Sequence, residues 1–108
     1  MDFLALDLET ANPDVSSICQ VGLVSFTDGL LQKEWKTYID PEDFFDEINI
    51  SIHGIDESKV EGAPTFPDVV DFLFNQMDGR IAVCHTHFDR VAIKQACEKY
   101  GVREPTCT

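Results

Sequence analysis

The stretch FLALDLETAN, residues 3–12, decides the fold. Side chains alternate faces along a β-strand, so Phe3, Ala5, Asp7 and Glu9 share one face, and Leu4, Leu6 and Leu8 share the other. A strand apolar on both faces reads as the middle of a sheet that is covered on both sides. Two carboxylates at the end of such a strand are close together and partly desolvated. That arrangement is costly unless something positive sits there.

Working outward, residues 18–26 (ICQVGLVSF) form a second strand. Thr27-Asp28-Gly29-Leu30 carries the Asp-Gly signature of a tight hairpin. Residues 31, 33, 35, 37 and 39 then alternate with more polar neighbours. They make a third strand, at the sheet edge, that ends at Asp40-Pro41. A long loop, PEDFFDEINISIHGIDESKVEGAP, follows, and its length suggests function. Within it, Ser58 to Val60 reads as a short helical turn. Phe66, Val69, Val70, Leu73 and Met77 recur at helical spacing, which predicts a helix from Thr65–Pro67 to just before Gly79. Residues 81–84 (IAVC) read as a buried strand. Phe88, Ala92, Ala96 and Tyr100 mark a last helix that Gly101 stops. The order is β-β-β-α-β-α, an α/β class. The first three strands form an antiparallel meander. The fourth arrives through a helix and so lies parallel to the first.

The 108 residues suffice for one domain, 1–108, in which roughly two-thirds of the unfolded surface can be buried. With 44% hydrophobic and 26% charged residues, the composition is that of a globular protein. No apolar run approaches the ~20 residues of a membrane span, and no signal peptide is visible after Met1. Cys19, Cys84, Cys97 and Cys107 form no C-x-x-C pair and read as reduced thiols of a cytoplasmic protein. A net charge of -12 argues against a surface that coats nucleic acid, without excluding an enzyme that meets nucleic acid through metal ions.

A third carboxylate, Asp89, falls in the first turn of the last helix. If the first and fourth strands are parallel neighbours, that helix starts at the end of the sheet where Asp7 and Glu9 sit. Clefts at the C-terminal ends of strands commonly hold the sites of α/β sheets. Three acids form an oxygen-only donor set that suits Mg²⁺ or Mn²⁺ better than zinc. Two such ions, about 3.5–4 Å apart, can activate water and hold the leaving oxygen in attack on a phosphodiester. Asp89 also suits a helix N-terminus, where Thr86-x-x-Asp89 resembles a capping box.

These residues carry a resemblance. LDLETAN, then SSICQVGLVSFTDG, YIDPEDFFDEINISIHGID, GAPTFPDV and IAVCHTHFDRVAI, in order over nearly the whole chain, resemble the DnaQ-like (DEDD) 3′–5′ exonucleases. That family includes proofreading epsilon subunits of DNA polymerase III and stand-alone relatives. The resemblance implies a ribonuclease H-like mixed sheet, three antiparallel strands plus a parallel one, with flanking helices. It implies two divalent ions and removal of nucleotides from the 3′ ends of DNA or RNA. Asp7 would bridge both metals, Glu9 would bind one and Asp89 the other. Backbone amides around Thr10 and Ala11 would meet the terminal nucleotide, with His53, His85 and Phe88 lining its pocket.

Two departures stand out. Cys84 and His85 occupy the places where many relatives carry His-Asn ahead of the Phe-Asp pair. The family's last motif, a histidine base and a fourth aspartate, has no counterpart after Asp89. The expectation is a C-terminally truncated exonuclease domain, weak or inactive alone, with its fourth strand an open edge that invites dimerisation or a domain swap. A DNA polymerase is a candidate partner. The alternative is a non-catalytic module of the same fold that binds nucleic acid or a polymerase.

Overall fold

The structure, a computed structural model, describes residues 2–84 and 87–106, with the side chain of His87 left out. Its elements are β1 (Asp2–Thr10), β2 (Ile18–Thr27), β3 (Leu30–Tyr38), α1 (Glu47–His53), α2 (Phe66–Met77), β4 (Ala82–Cys84) and α3 (His87–Tyr100). The strands form one sheet in the order β3-β2-β1-β4. β1–β2 and β2–β3 are antiparallel, and β1–β4 is parallel. This is the mixed α/β sheet of a ribonuclease H-like fold. The hairpin between β2 and β3 turns on Asp28 (φ 51) and Gly29 (φ 80). Two consecutive left-handed residues match the twist of the flanking strands.

The leucine face of β1 is the floor of the main core. Leu4, Leu6 and Leu8 pack there with Ile18, Val21 and Leu23 of β2, the inner stripe of α2, and Ala92, Ile93, Ala96 and Cys97 of α3. α2 starts where Thr65 and Asp68 bond reciprocally in a capping box, with Pro67 in the first turn. α3 ends at Gly101, whose φ of 66 lies in the left-handed region.

Three expectations are corrected. Among the described residues, the sheet is covered by helices on its leucine face only. Asp7, on the opposite face, is exposed and Phe3 and Ala5 are half-buried. β4 lies at the sheet edge, as expected, but it is not buried: Val83 is 47% exposed. The loop after Pro41 contains a helix, α1, that period-2 apolar spacing (Ile48, Ile50, Ile52) disguised. No side chain of α1 is buried. It forms because Asp46 caps its N-terminus by accepting from the Ile48 amide, and Gly54 (φ 74) closes its C-terminus.

The pairing of β1 with β2 slips between Glu9 and Thr10, where Thr10 faces Ile18 and Cys19 becomes the extra residue. The bulge turns the strand so that Ile18 reaches the main core. Cys19 enters a second, smaller cluster with Ala11, Ile55 and Val60. A bulge bends its strand and re-aims side chains. Here it seats the end of β1 on the loop that contains α1.

Candidate active site

Asp7 and Glu9 stand where alternation puts them, on the open face at the C-terminal end of β1. Asp7 lies opposite Gly22 and Glu9 opposite Gln20. The absence of a side chain at Gly22 keeps the neighbourhood of Asp7 clear, and a shallow depression there is lined by Ala5, Asp7, Val24, Glu34, Lys36 and Val83. Two carboxylates two residues apart on one strand face supply hard oxygen donors of the kind that divalent magnesium or manganese prefers.

Asp89 sits in the first turn of α3 and is buried, at 3% exposed. Register with β4 puts Cys84 beside Leu6, so the chain leaves β4 toward the end of the sheet that carries Asp7 and Glu9. The inner stripe of α3, three and four residues after Asp89, packs on the leucine side. The structure thus brings Asp89 to the same end of the sheet, on a helix that covers the other face. Among the described residues, no group of three or more His, Cys, Asp or Glu side chains stands close enough to hold a metal ion. The donor chemistry of the β1 pair fits such an ion; the third acid is not gathered around it in this conformation.

The segment Thr10–Asn12, beyond the acids, is densely tied. The Ala11 amide donates to the Ser17 carbonyl at 2.8 Å, and the Ala11 carbonyl accepts from the Asp46 amide at 2.8 Å. Ala11 is fully buried, so its amide serves the fold here. His53 Nε2 meets the Thr10 carbonyl at 2.8 Å, and the Ile55 amide donates to His53 Nδ1 at 3.0 Å. A carbonyl only accepts and an amide only donates, so both contacts require the neutral ring with its proton on Nε2. Both ring nitrogens are engaged within the chain, and any ligand would meet the ring's edge or face. Phe88, at the start of α3, is 36% exposed. His85 and Thr86 lie outside the described residues.

Three residues of this constellation escape a reading of motifs. Asn12 is 2% exposed; its side chain donates to the Phe44 carbonyl at 2.9 Å and accepts from the Asp14 amide at 2.8 Å. Ser17 accepts from the Asn12 amide and donates to the Asp14 carbonyl. Asn49, one turn before His53, donates to the Thr10 carbonyl at 3.1 Å. The Asn-Pro-Asp turn signature at residues 12–14 was the available signal for Asn12. Asn49 becomes visible only once α1 is recognised, because i and i+4 share a helix face.

Two thiols are buried. Burial, followed by the nearby Glu9 charge, pushes the Cys19 thiol up to about 12. Burial likewise raises Cys97 to about 11, and its Sγ donates to the Arg103 carbonyl at 3.4 Å. No helix among the described residues is long and apolar enough to cross a membrane.

A four-stranded mixed sheet in this order, flanked by helices, defines a ribonuclease H-like domain. The chain belongs to the RNase_T exonuclease family, whose sequence profile matches residues 4–106. It is thereby related to the DnaQ-like (DEDD) 3′–5′ exonucleases. It is 28% identical over 109 residues to the 3′-5′ exonuclease DinG of Bacillus subtilis (strain 168), a match spanning 97% of this chain and 12% of that protein. It is 26% identical over 104 residues to a PolC-type DNA polymerase III of Caldanaerobacter subterraneus subsp. tengcongensis, spanning 94% of this chain and 7% of that one. The chain thus corresponds to a small part of these curated relatives. In fold it resembles exonuclease X, solved with 5′ overhanging duplex DNA, at a TM-score of 0.73 and 18% identity over 97% of this chain and 56% of that one. It also resembles a full-length 3′-exonuclease, at a TM-score of 0.81 and 19% identity over 95% of this chain and 40% of that one.

Proposed function

We propose that this chain forms the 3′-end-binding and metal-binding part of a 3′–5′ exonuclease. The observation that carries the reading is the acid pair Asp7 and Glu9, on one open face at the end of the central strand of a chain that the family profile spans. Asp7, Glu9 and Asp89 would hold two Mg²⁺ or Mn²⁺ ions, with Asp7 shared between them. Such ions supply the charge that lowers the pKa of a water and stabilises the leaving oxygen. The protein's own part is to hold the acids and orient the terminal phosphodiester. Thr10 and Ala11 would border the terminal nucleotide, with His85 and Phe88 along its pocket.

Residues 1–108 contain no His or Asp after Asp89. A positioned general base is worth about 10²–10⁴-fold, and residues 90–108 supply neither of those side chains for the role. Its partners in this reading are DNA or RNA 3′ ends, and a DNA polymerase where it proofreads. The open β4 edge and the bare sheet face would favour dimers or swapped strands of the isolated chain. The reduced thiols suit a cytoplasmic setting.

The test is a 5′-labelled single strand, DNA or RNA, incubated with the protein and Mg²⁺ or Mn²⁺. Slow stepwise shortening from the 3′ end that Asp7→Ala abolishes is expected. Undiminished cleavage by Asp7→Ala, or shortening from the 5′ end, would contradict the proposal. One observation favours a second reading: among the described residues no three acids are grouped for a metal. A non-catalytic module that binds nucleic acid or a polymerase would hold labelled strands without shortening them in either metal.

A further inference from the structure

The peptide that joins Thr10 to Ala11 is held at both ends. Its N–H reaches the Ser17 carbonyl, and its C=O takes two side-chain donors of α1, His53 Nε2 at 2.8 Å and Asn49 Nδ2 at 3.1 Å. Asn49 Nδ2 also approaches Thr10 Oγ1 at 3.4 Å. The imidazole is itself aimed by the Ile55 amide on Nδ1, just past the left-handed Gly54 that ends α1. This peptide follows the bulge, one residue beyond Glu9. The clamp thus acts where the ladder has slipped and ordinary pairing no longer fixes the chain. α1 buries no side chain, so its donors to β1 do not serve the packing of an apolar face.

We infer that Asn49 and His53 are positioning residues for the acid pair: they fix the backbone beyond the bulge and thereby the orientation of the Glu9 carboxylate relative to Asp7. The inference rests on the metal-binding reading above and deepens it. It gives His53, which the family resemblance implies to be a pocket-lining group, the role of a group that works through Thr10. Two carboxylates that chelate one ion must keep their separation to a few tenths of an ångström, so a loosened bulge weakens the pair without removing either acid. Partners that orient the direct ligands of a metal alter its affinity by about 10–100-fold when they are lost.

The experiment is Mn²⁺ titration of the 108-residue chain by calorimetry and by the loss of the free-ion electron-paramagnetic signal. It compares wild type with His53→Ala, Asn49→Ala, Asp7→Asn and the remote core variant Val70→Ala. Affinity should fall at least about 10-fold in His53→Ala and several-fold in Asn49→Ala, with Val70→Ala unchanged even though it is less stable. If His53→Ala does not fold, Asn49→Ala carries the comparison. Unchanged affinity in the folded clamp variants, beside loss in Asp7→Asn, overturns the positioning role alone. So does an equal fall in Val70→Ala, which would make the effect one of stability. Absence of saturable binding by wild type removes the metal reading and the inference with it.

Discussion

Replacing Asn12 by alanine tests the linkage between β1 and the loop in one step. Its side chain is 2% exposed and ties two backbone groups, the Phe44 carbonyl and the Asp14 amide. The alanine variant leaves both without their side-chain partner at a part-buried site. A polar group stranded in this way costs about 1–3 kcal/mol. Both partners are only part-buried, so the lower half of that range applies to each, and the sum is about 2–4 kcal/mol. For a domain of this size the melting temperature should fall by about 4–8 °C per kcal/mol. The assay is urea unfolding followed by tryptophan fluorescence, with the midpoint lowered and the slope unchanged. Asn12→Asp is the companion variant. It keeps an acceptor for the Asp14 amide but turns an acceptor toward the Phe44 carbonyl, so at neutral pH it should be at least as unstable as the alanine variant. A loss of less than about 0.5 kcal/mol in Asn12→Ala, the range of ordinary surface changes, would refute the reasoning.

Other outcomes follow from the same structure. Asp78 accepts from both terminal nitrogens of Arg103 and from the Thr106 amide, and its carboxyl is held down from 3.8 to about 2, chiefly by Arg103. A depressed folded-state value stabilises above the unfolded value, and that stabilisation is lost as pH falls through about 2. Arg103→Gln should therefore flatten the acid limb of stability between pH 4 and 2 in chemical denaturation, and an unaltered limb would count against the pair. Cys19 and Cys97, raised to about 12 and about 11, should react slowly with Ellman's reagent at pH 8 until urea exposes them; rapid native labelling of both would show that they are not buried. Val83→Lys puts a charge on the bare face of the edge strand β4 and should reduce self-association of the isolated chain in light scattering. A wild-type chain that is monomeric at high concentration contradicts the open-edge reading. Gly54→Ala forces a Cβ into a left-handed conformation and should cost about 1 kcal/mol or more in urea unfolding.

The sheet and its two long helices were legible because each carries one dominant period. Leu4, Leu6 and Leu8 alternate. Val69, Val70, Leu73 and Met77 follow the helical repeat, and Asp28-Gly29 can only turn. Helix α1 was illegible for a physical reason. Its isoleucines alternate like a strand, two of them point into water, with Ile48 70% and Ile52 76% exposed, and its stability comes from caps and from donors to a distant carbonyl. Caps read clearly only when an apolar stripe lies between them. The acid pair was visible in D-x-E because alternation puts both acids on one face. The clamp was not, because Asn49 and His53 meet Thr10 from about 40 residues away in sequence. The bareness of the Asp7 face was equally hidden. Ala5 and Phe3 are apolar whether or not a layer covers them, and the strand pattern alone does not distinguish the two cases.

The most direct measurement is anomalous diffraction from crystals of this chain grown with Mn²⁺ and a nucleoside 5′-monophosphate. The account predicts two manganese peaks about 3.5–4 Å apart, the distance at which paired ions share a phosphate. Asp7 should touch both ions, Glu9 and Asp89 one each, and the nucleotide phosphate should lie between them. Manganese bound elsewhere on this acidic chain, with Asp7, Glu9 and Asp89 bare, would contradict it.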